Sequence, residues 1–135
     1  MDIFEQICHE LNITGLSFDR DNILQCELRL SAEEPALLLS LYRNYTEMSL
    51  CLSVTTRNEL PENVSADFLT RLAESSIEPF RGGIGIGMLP GHGRALSAYK
   101  CIMLAGYMAG DIQSVLADVT EMAEFWDEQL MQARV

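Results

Sequence analysis

The period of the apolar positions changes along this chain, and each change marks an element. Ile3, Phe4, Ile7, Cys8 and Leu11 recur at helical spacing with Glu5, Gln6, His9 and Glu10 between them, which predicts an amphipathic helix over 2–12. Thr14-Gly15 breaks that pattern. Leu16-Ser17-Phe18 reads as a short strand, and residues 19–22 (DRDN) as a turn of side chains that bond their own backbone. From Ile23 the period is two: Leu24, Cys26, Leu28 and Leu30 share one face, Gln25, Glu27 and Arg29 the other. Residues 36–42 read as a further strand and 43–47 as a turn. Over 48–56 the alternation returns, with Met48, Leu50, Leu52 and Val54 inward against Ser49, Cys51 and Ser53. These segments predict an antiparallel meander.

The second half begins with a helix over 66–76, capped by Ser65, striped by Phe68, Leu69, Leu72 and Ala73, and stopped by Pro79. In the glycine-rich stretch 82–93, Ile84, Ile86 and Met88 share one face while Gly83, Gly85 and Gly87 share the other. With 94–107 as a long strand, 83–107 reads as a β-hairpin. Asp111 then caps a final helix whose stripe is Ile112, Val115, Leu116, Val119, Met122, Ala123, Trp126, Leu130 and Ala133. Asp118, Glu121, Asp127 and Glu128 lie off it. Asp111 at its start and Arg134 near its end suit the helix dipole. The order is α-β-β-β(-β)-α-β-β-α, an α+β fold in which an antiparallel sheet carries three helices. No repeat or linker divides it, so residues 1–135 read as a single domain.

Composition narrows the class. A chain of 135 residues, 48% hydrophobic and 21% charged, is long enough to hold a core without metals or disulfides. Its net charge of −11 repels phosphate backbones, which argues against nucleic acid and favours partners with basic segments. No apolar run approaches the roughly 18 residues that span a membrane. The N-terminus lacks the basic start and apolar centre of a signal peptide, so a cytoplasmic location is expected. Cys8, Cys26, Cys51 and Cys101 form no CxxC and are expected to be free thiols there.

The candidate chemistry fails on spacing. From Gly83, Gly85 or Gly91, a GxGxxG motif would need a third glycine where Met88, Pro90 and Leu96 stand. GxxxxGK[ST] fails because Met88, not lysine, follows Gly87. Cys8 and His9 are helix neighbours about 100° apart and cannot face each other. His92 has no evident partner, and two histidines without HxxxH spacing make no metal site. The acidic pairs Glu33-Glu34 and Asp127-Glu128 read as solvated charge. No cofactor, metal or catalytic group is expected. The glycine strand reads instead as a place of close packing.

The pattern as a whole resembles the class I chaperones of type III secretion systems, the Tir-chaperone family. The resemblance lies in the leading helix with Leu11-Asn12-Ile13, then Leu16-Ser17-Phe18-Asp19, a polar turn and strand 23–30. It lies also in the order of elements, and in 119–130 (VTEMAEFWDEQL), similar to that family's closing helix with its aromatic-Trp pair. Asn12 stands where the family often has glycine. ESSIEPF (74–80) stands where it often has an asparagine-containing segment, and the glycine strand 83–87 is a further departure.

The resemblance implies a bacterial, cytoplasmic homodimer without enzymatic activity. It would bind the extended N-terminal region of a secreted effector through apolar grooves and strand addition. A secretion-apparatus ATPase is a further partner it implies. Carried onto this chain, the effector-binding positions are Ile3, Phe4, Ile7, Leu16, Phe18, Leu24 and Leu28. The dimer positions are Phe68, Leu72, Phe80, Ile84, Ile86 and Met88, with Gly83, Gly85 and Gly87 admitting the second subunit. An adaptor of the same fold that sequesters a different partner protein is the alternative.

Overall fold

The computed structural model of the chain describes residues 2–13 and 15–133; Thr14 and Arg134, read above as a helix break and a dipole partner, lie outside them. The elements are α1 (Ile3–Glu10), β1 (Ile23–Leu28), β2 (Leu37–Asn44), β3 (Ser49–Glu59), α2 (Ala66–Ser76), β4 (Gly85–Gly87), β5 (Ala95–Met103) and α3 (Asp111–Ala133), with a 3₁₀ turn at Glu78–Arg81. The five strands form one antiparallel sheet in the order β1-β2-β3-β5-β4.

Local chemistry accounts for the helix starts. The Asp2 carboxylate accepts from the Glu5 N–H at 2.8 Å, and Ser65 Oγ accepts from the Phe68 N–H at 3.1 Å. After α1, Asn12 adopts φ 59°, the left-handed conformation that asparagine tolerates best after glycine. That explains how asparagine can stand where the resembled family often has glycine. At α3 the helix already includes Asp111, so Asp111 is not the cap. Its carboxylate reaches back to accept from the Met108 N–H at 2.8 Å.

Register sets the core. Leu24 faces Leu41, Leu41 faces Leu52, and Val54 faces Ala98, so one sheet face is continuous apolar surface. Ile112, Val119, Ala123, Trp126 and Leu130 of α3 pack on it with Phe4 and Ile7 of α1. Phe68 of α2 meets Trp126 edge-on, with ring centroids 5.6 Å apart.

Several expectations are corrected. Leu16-Ser17-Phe18 is not a strand: β1 pairs with β2 alone, and the approach to it is tied by the Asp19 turn. Leu30 lies beyond the end of β1 and is exposed. Met48 is not inward but sits at φ 48° in the β2–β3 turn, also exposed. Leu69 and Ala73 are exposed, leaving Phe68 and Leu72 to dock α2. Strand β5 ends at Met103, so 104–107 is turn. Ser49 and Ser53, read as solvent-facing, are buried. Leu89, Pro90 and His92 of the β4–β5 connection line one cavity with Ser40 and Ser53, so that connection folds back over the face opposite the helices. On that same face Cys51 and Cys101, expected to be free, are directly opposed across β3 and β5 and joined by a disulfide; Cys8 and Cys26 are free. Asp127, expected in solvent, is buried.

Candidate functional site

Two cavities flank the segment that links α1 to β1. The first, about 460 Å³, lies between α1 and the linking segment, lined by Glu5, Cys8, His9, Ile13, Leu16, Phe18 and Arg43. The second, about 250 Å³, runs from Leu11 and Ile13 past Leu16 to Cys26, Leu28, Leu39 and Leu116. Ile13 and Leu16 belong to both. Leu16 is 51% exposed and stands as the ridge between them.

Aromatic packing fixes the first wall. Phe4 contacts Phe18 and Tyr45 edge-on at 6.4 and 4.9 Å. The Arg43 guanidinium lies 4.4 Å from the Phe18 ring centroid and 5.1 Å from that of Tyr45. Tyr45 donates to Asp2 Oδ2 at 2.9 Å. The Glu5 N–H and this phenol hold the Asp2 carboxyl below its ordinary range. Burial pushes the thiols of Cys8 and Cys26 up, so neither is primed as a nucleophile. Among the described residues no group of three or more His, Cys, Asp or Glu is placed to hold a metal ion.

The groove runs beside a sheet edge. The Asn22 carbonyl accepts from Arg43 N on the β2 side, and the Ile23 carbonyl accepts from Asp19 N on the other. By antiparallel alternation, Gln25 and Glu27 turn their N–H and C=O groups away from β2. Beyond the Asp19 turn, no strand among the described residues pairs with that edge. An extended chain there would gain main-chain hydrogen bonds while its alternate side chains reach the cavities.

The positions carried over from the resemblance fall into two groups. Leu16, Phe18 and Leu28 line the cavities. Phe4, Ile7 and Leu24 are core residues beneath them, and Ile3 is half-buried against that core. Arg43 and Leu116 were not anticipated. Cross-strand adjacency brings the first and the docking of α3 the second, and neither is written in local periodicity.

The other set lies at the opposite edge. Phe80 is 96% exposed on the 3₁₀ turn, and Met88 is exposed after β4. Leu72 and Ile84 are half-buried, and Phe68 is buried. Ile86 is 2% exposed and belongs to the chain's own core. A cavity of about 540 Å³ joins Ser75 and Ile84 to Met122, Phe125 and Trp126 of α3. Of Gly83, Gly85 and Gly87, two meet their own chain: a Cβ on Gly85 would collide with the Tyr99 ring and Pro79, and one on Gly83 would touch Glu78, whereas one on Gly87 would have nothing within 4 Å.

No protein-family model matches this chain, and no curated protein matches it by sequence. Solved structures match it by fold, two of them as follows. One, the structure of the HopA1–SchA chaperone–effector complex, superposes with a TM-score of 0.66 over 91% of this chain and 88% of the other, at 18% identity. The other, the crystal structure of the ExsC–ExsE complex, gives 0.69 over 96% and 97%, at 17% identity. The α+β architecture, with its five-stranded antiparallel sheet and three helices, is that of type III secretion chaperone-like folds. At these identities the likeness is one of fold. No helix among the described residues is long and apolar enough to cross a membrane.

Proposed function

We propose that this chain is a chaperone of type III secretion that binds the N-terminal region of a secreted effector and keeps that segment extended. The observation that carries this reading is the pair of open cavities on either side of Leu16, each of mixed apolar and polar lining, next to the unpaired backbone groups of Gln25 and Glu27. The HopA1–SchA chaperone–effector complex shares this fold, which supports a binding role. The net charge of −11 favours a partner segment that carries basic residues.

In this reading the chain works as a homodimer. Phe80, Met88, Leu72 and Ile84 are the exposed or half-exposed apolar groups available for that contact. Ile86 contributes from beneath, as core.

The test is affinity capture from the native cell under secretion-inducing conditions, with bound proteins identified by mass spectrometry. Retention of a secreted protein whose N-terminal segment alone suffices is the expected result. Retention of a regulator or an apparatus component instead would favour the adaptor reading.

A further inference from the structure

We propose that Cys51 and Cys101 form a reversible thiol–disulfide site, open to low-molecular-weight thiols on the sheet face away from the helices, with Cys101 the sulfur those thiols attack. Register brings the two cysteines together. Leu104 N donates to Met48 O at 2.9 Å, which makes Met48 and Leu104 a hydrogen-bonded pair. Counting inward along the ladder, Cys51 and Cys101 fall on a non-hydrogen-bonded pair. Facing side chains approach closest at such pairs.

The sheet therefore holds the two sulfurs together whether or not they are bonded. Hydrogen-bonded pairs stand on both sides of them, and β2 and β4 flank β3 and β5. Opening the bridge leaves the strands in register, which is what a reversible site requires.

Access is one-sided. Cys101 is exposed and Cys51 half-buried, and both line a cavity of about 390 Å³ that Leu89, Pro90, His92 and Tyr99 help to wall. The remaining thiols do not compete. Cys8 faces the helix side, where it lines the α1 cavity, and Cys26 lines the cavity beyond Leu16.

Exchange runs through a mixed disulfide on Cys101. A small thiolate attacks Cys101 Sγ, and the S–S bond breaks. Cys51 leaves as thiolate and takes a proton from water. A second small thiolate attacks the outer sulfur of the mixed disulfide, which releases Cys101 as thiolate. In sum, the protein disulfide and two small thiols give two protein thiols and one small-molecule disulfide. A small-molecule disulfide drives the reverse.

The test uses the intact chain in native buffer with glutathione or glutathione disulfide, acid-quenched and then alkylated under denaturation for mass spectrometry. After the disulfide, two of the four cysteines should be alkylated, Cys8 and Cys26; after glutathione, all four. Wild-type protein gives this readout, so it does not depend on how any variant folds. Cys51→Ser should then collect one glutathione on Cys101, while Cys101→Ser should collect it at least tenfold more slowly. Four alkylated cysteines after oxidation would overturn the site. So would a bridge that glutathione opens only in denaturant. Equal rates for the two variants would overturn the assignment of Cys101.

Discussion

The Asp127 carboxylate of α3 grips β3 where the strand leaves its register, and Arg57 is its partner. Asp127 Oδ2 accepts from Arg57 Nη1 at 3.0 Å, while Oδ1 accepts from the backbone N–H groups of Arg57 and Asn58, each at 2.9 Å. The β3–β5 register shifts between Thr55 and Glu59, so these N–H groups lack strand partners there. Glu124 and Glu34 complete the ring around the guanidinium at 3.0 and 3.3 Å. Asp127 is 5% exposed. Asp127→Ala would strand two backbone donors and leave the Arg57 guanidinium to Glu124 and Glu34 alone, and should cost about 3–5 kcal/mol in urea unfolding. Asp127→Asn keeps an acceptor oxygen and should cost less. A loss under about 1 kcal/mol for the alanine variant would mean that water takes over both roles.

The same pair marks where sequence reading stops. Periodicity and caps located the helices, because each signal is local: Ser65 before α2, and the stripe from Ile112 to Leu130 on α3. Asp127 lies off that stripe, and nothing near it tells that a strand irregularity 70 residues away will need its oxygens. Cys51 and Cys101 likewise become neighbours only through the β3–β5 register. In the groove, alternation identified Leu24 and Leu28 as sharing a face. It could not separate the floor from the wall, and the floor is Leu24. Leu16-Ser17-Phe18 has apolar ends but no partner strand, so it crosses the end of α1 as coil and becomes the ridge.

Tyr107 ties α1 to α3 and sets an alkaline limit. Its hydroxyl donates to Glu10 Oε2 at 2.5 Å and accepts from the Ile112 N–H at 3.3 Å; Glu10 Oε1 also accepts from the Gly110 N–H at 3.0 Å. Burial first, and the hydrogen bond to Glu10 next, push the Tyr107 phenol up from its ordinary 10 to about 12. A raised phenol favours the fold below pH 10, and that contribution is lost as pH climbs towards 12. Tyr107→Phe should lower stability at neutral pH by about 1 kcal/mol and flatten the decline on the alkaline side. An unchanged alkaline slope in the variant would assign that decline to other groups.

Gly85 is a packing glycine. A methyl group there would meet the Tyr99 ring and lie 2.6 Å from Pro79 Cγ, whereas one on Gly87 has nothing within 4 Å. Gly85→Ala should cost about 1–3 kcal/mol through overpacking, and Gly87→Ala much less. Thermal melts of both variants, with Gly85→Ala/Tyr99→Ala as the relief control, make the comparison. Equal losses at the two positions would point to backbone effects instead.

Phe80 separates subunit contact from core. At 96% exposure it contributes little to the single chain, so Phe80→Asp should leave the melting temperature of a monomer nearly unchanged. In the dimer proposed above the same change should shift the mass seen by light scattering towards one chain. Ile86→Asp, by contrast, buries a charge in the core and should unfold the chain at any concentration. A Phe80→Asp variant that stays a full-strength dimer would move the interface elsewhere.

Leu16 and Leu24 discriminate groove from core most directly. Leu16 is half-exposed on the ridge, and its deletion to alanine removes little area buried within the fold itself. Leu24 sits in the core beneath, facing Leu41. Leu24→Ala should therefore cost about 2–5 kcal/mol of stability, from lost transfer energy and the cavity left behind. Leu16→Ala should cost well under 1 kcal/mol, yet weaken a bound segment about tenfold, the loss expected where one side chain anchors a peptide between two pockets. Leu16→Asp should do so more strongly, because it sets a carboxylate at the mouth of both cavities beside Glu5 and Glu27. Urea unfolding gives the first quantity, and calorimetric titration with the captured partner segment gives the second. If Leu16→Ala binds as tightly as the parent chain while Leu24→Ala shows the expected core loss, the fold stands and the partner docks elsewhere on it.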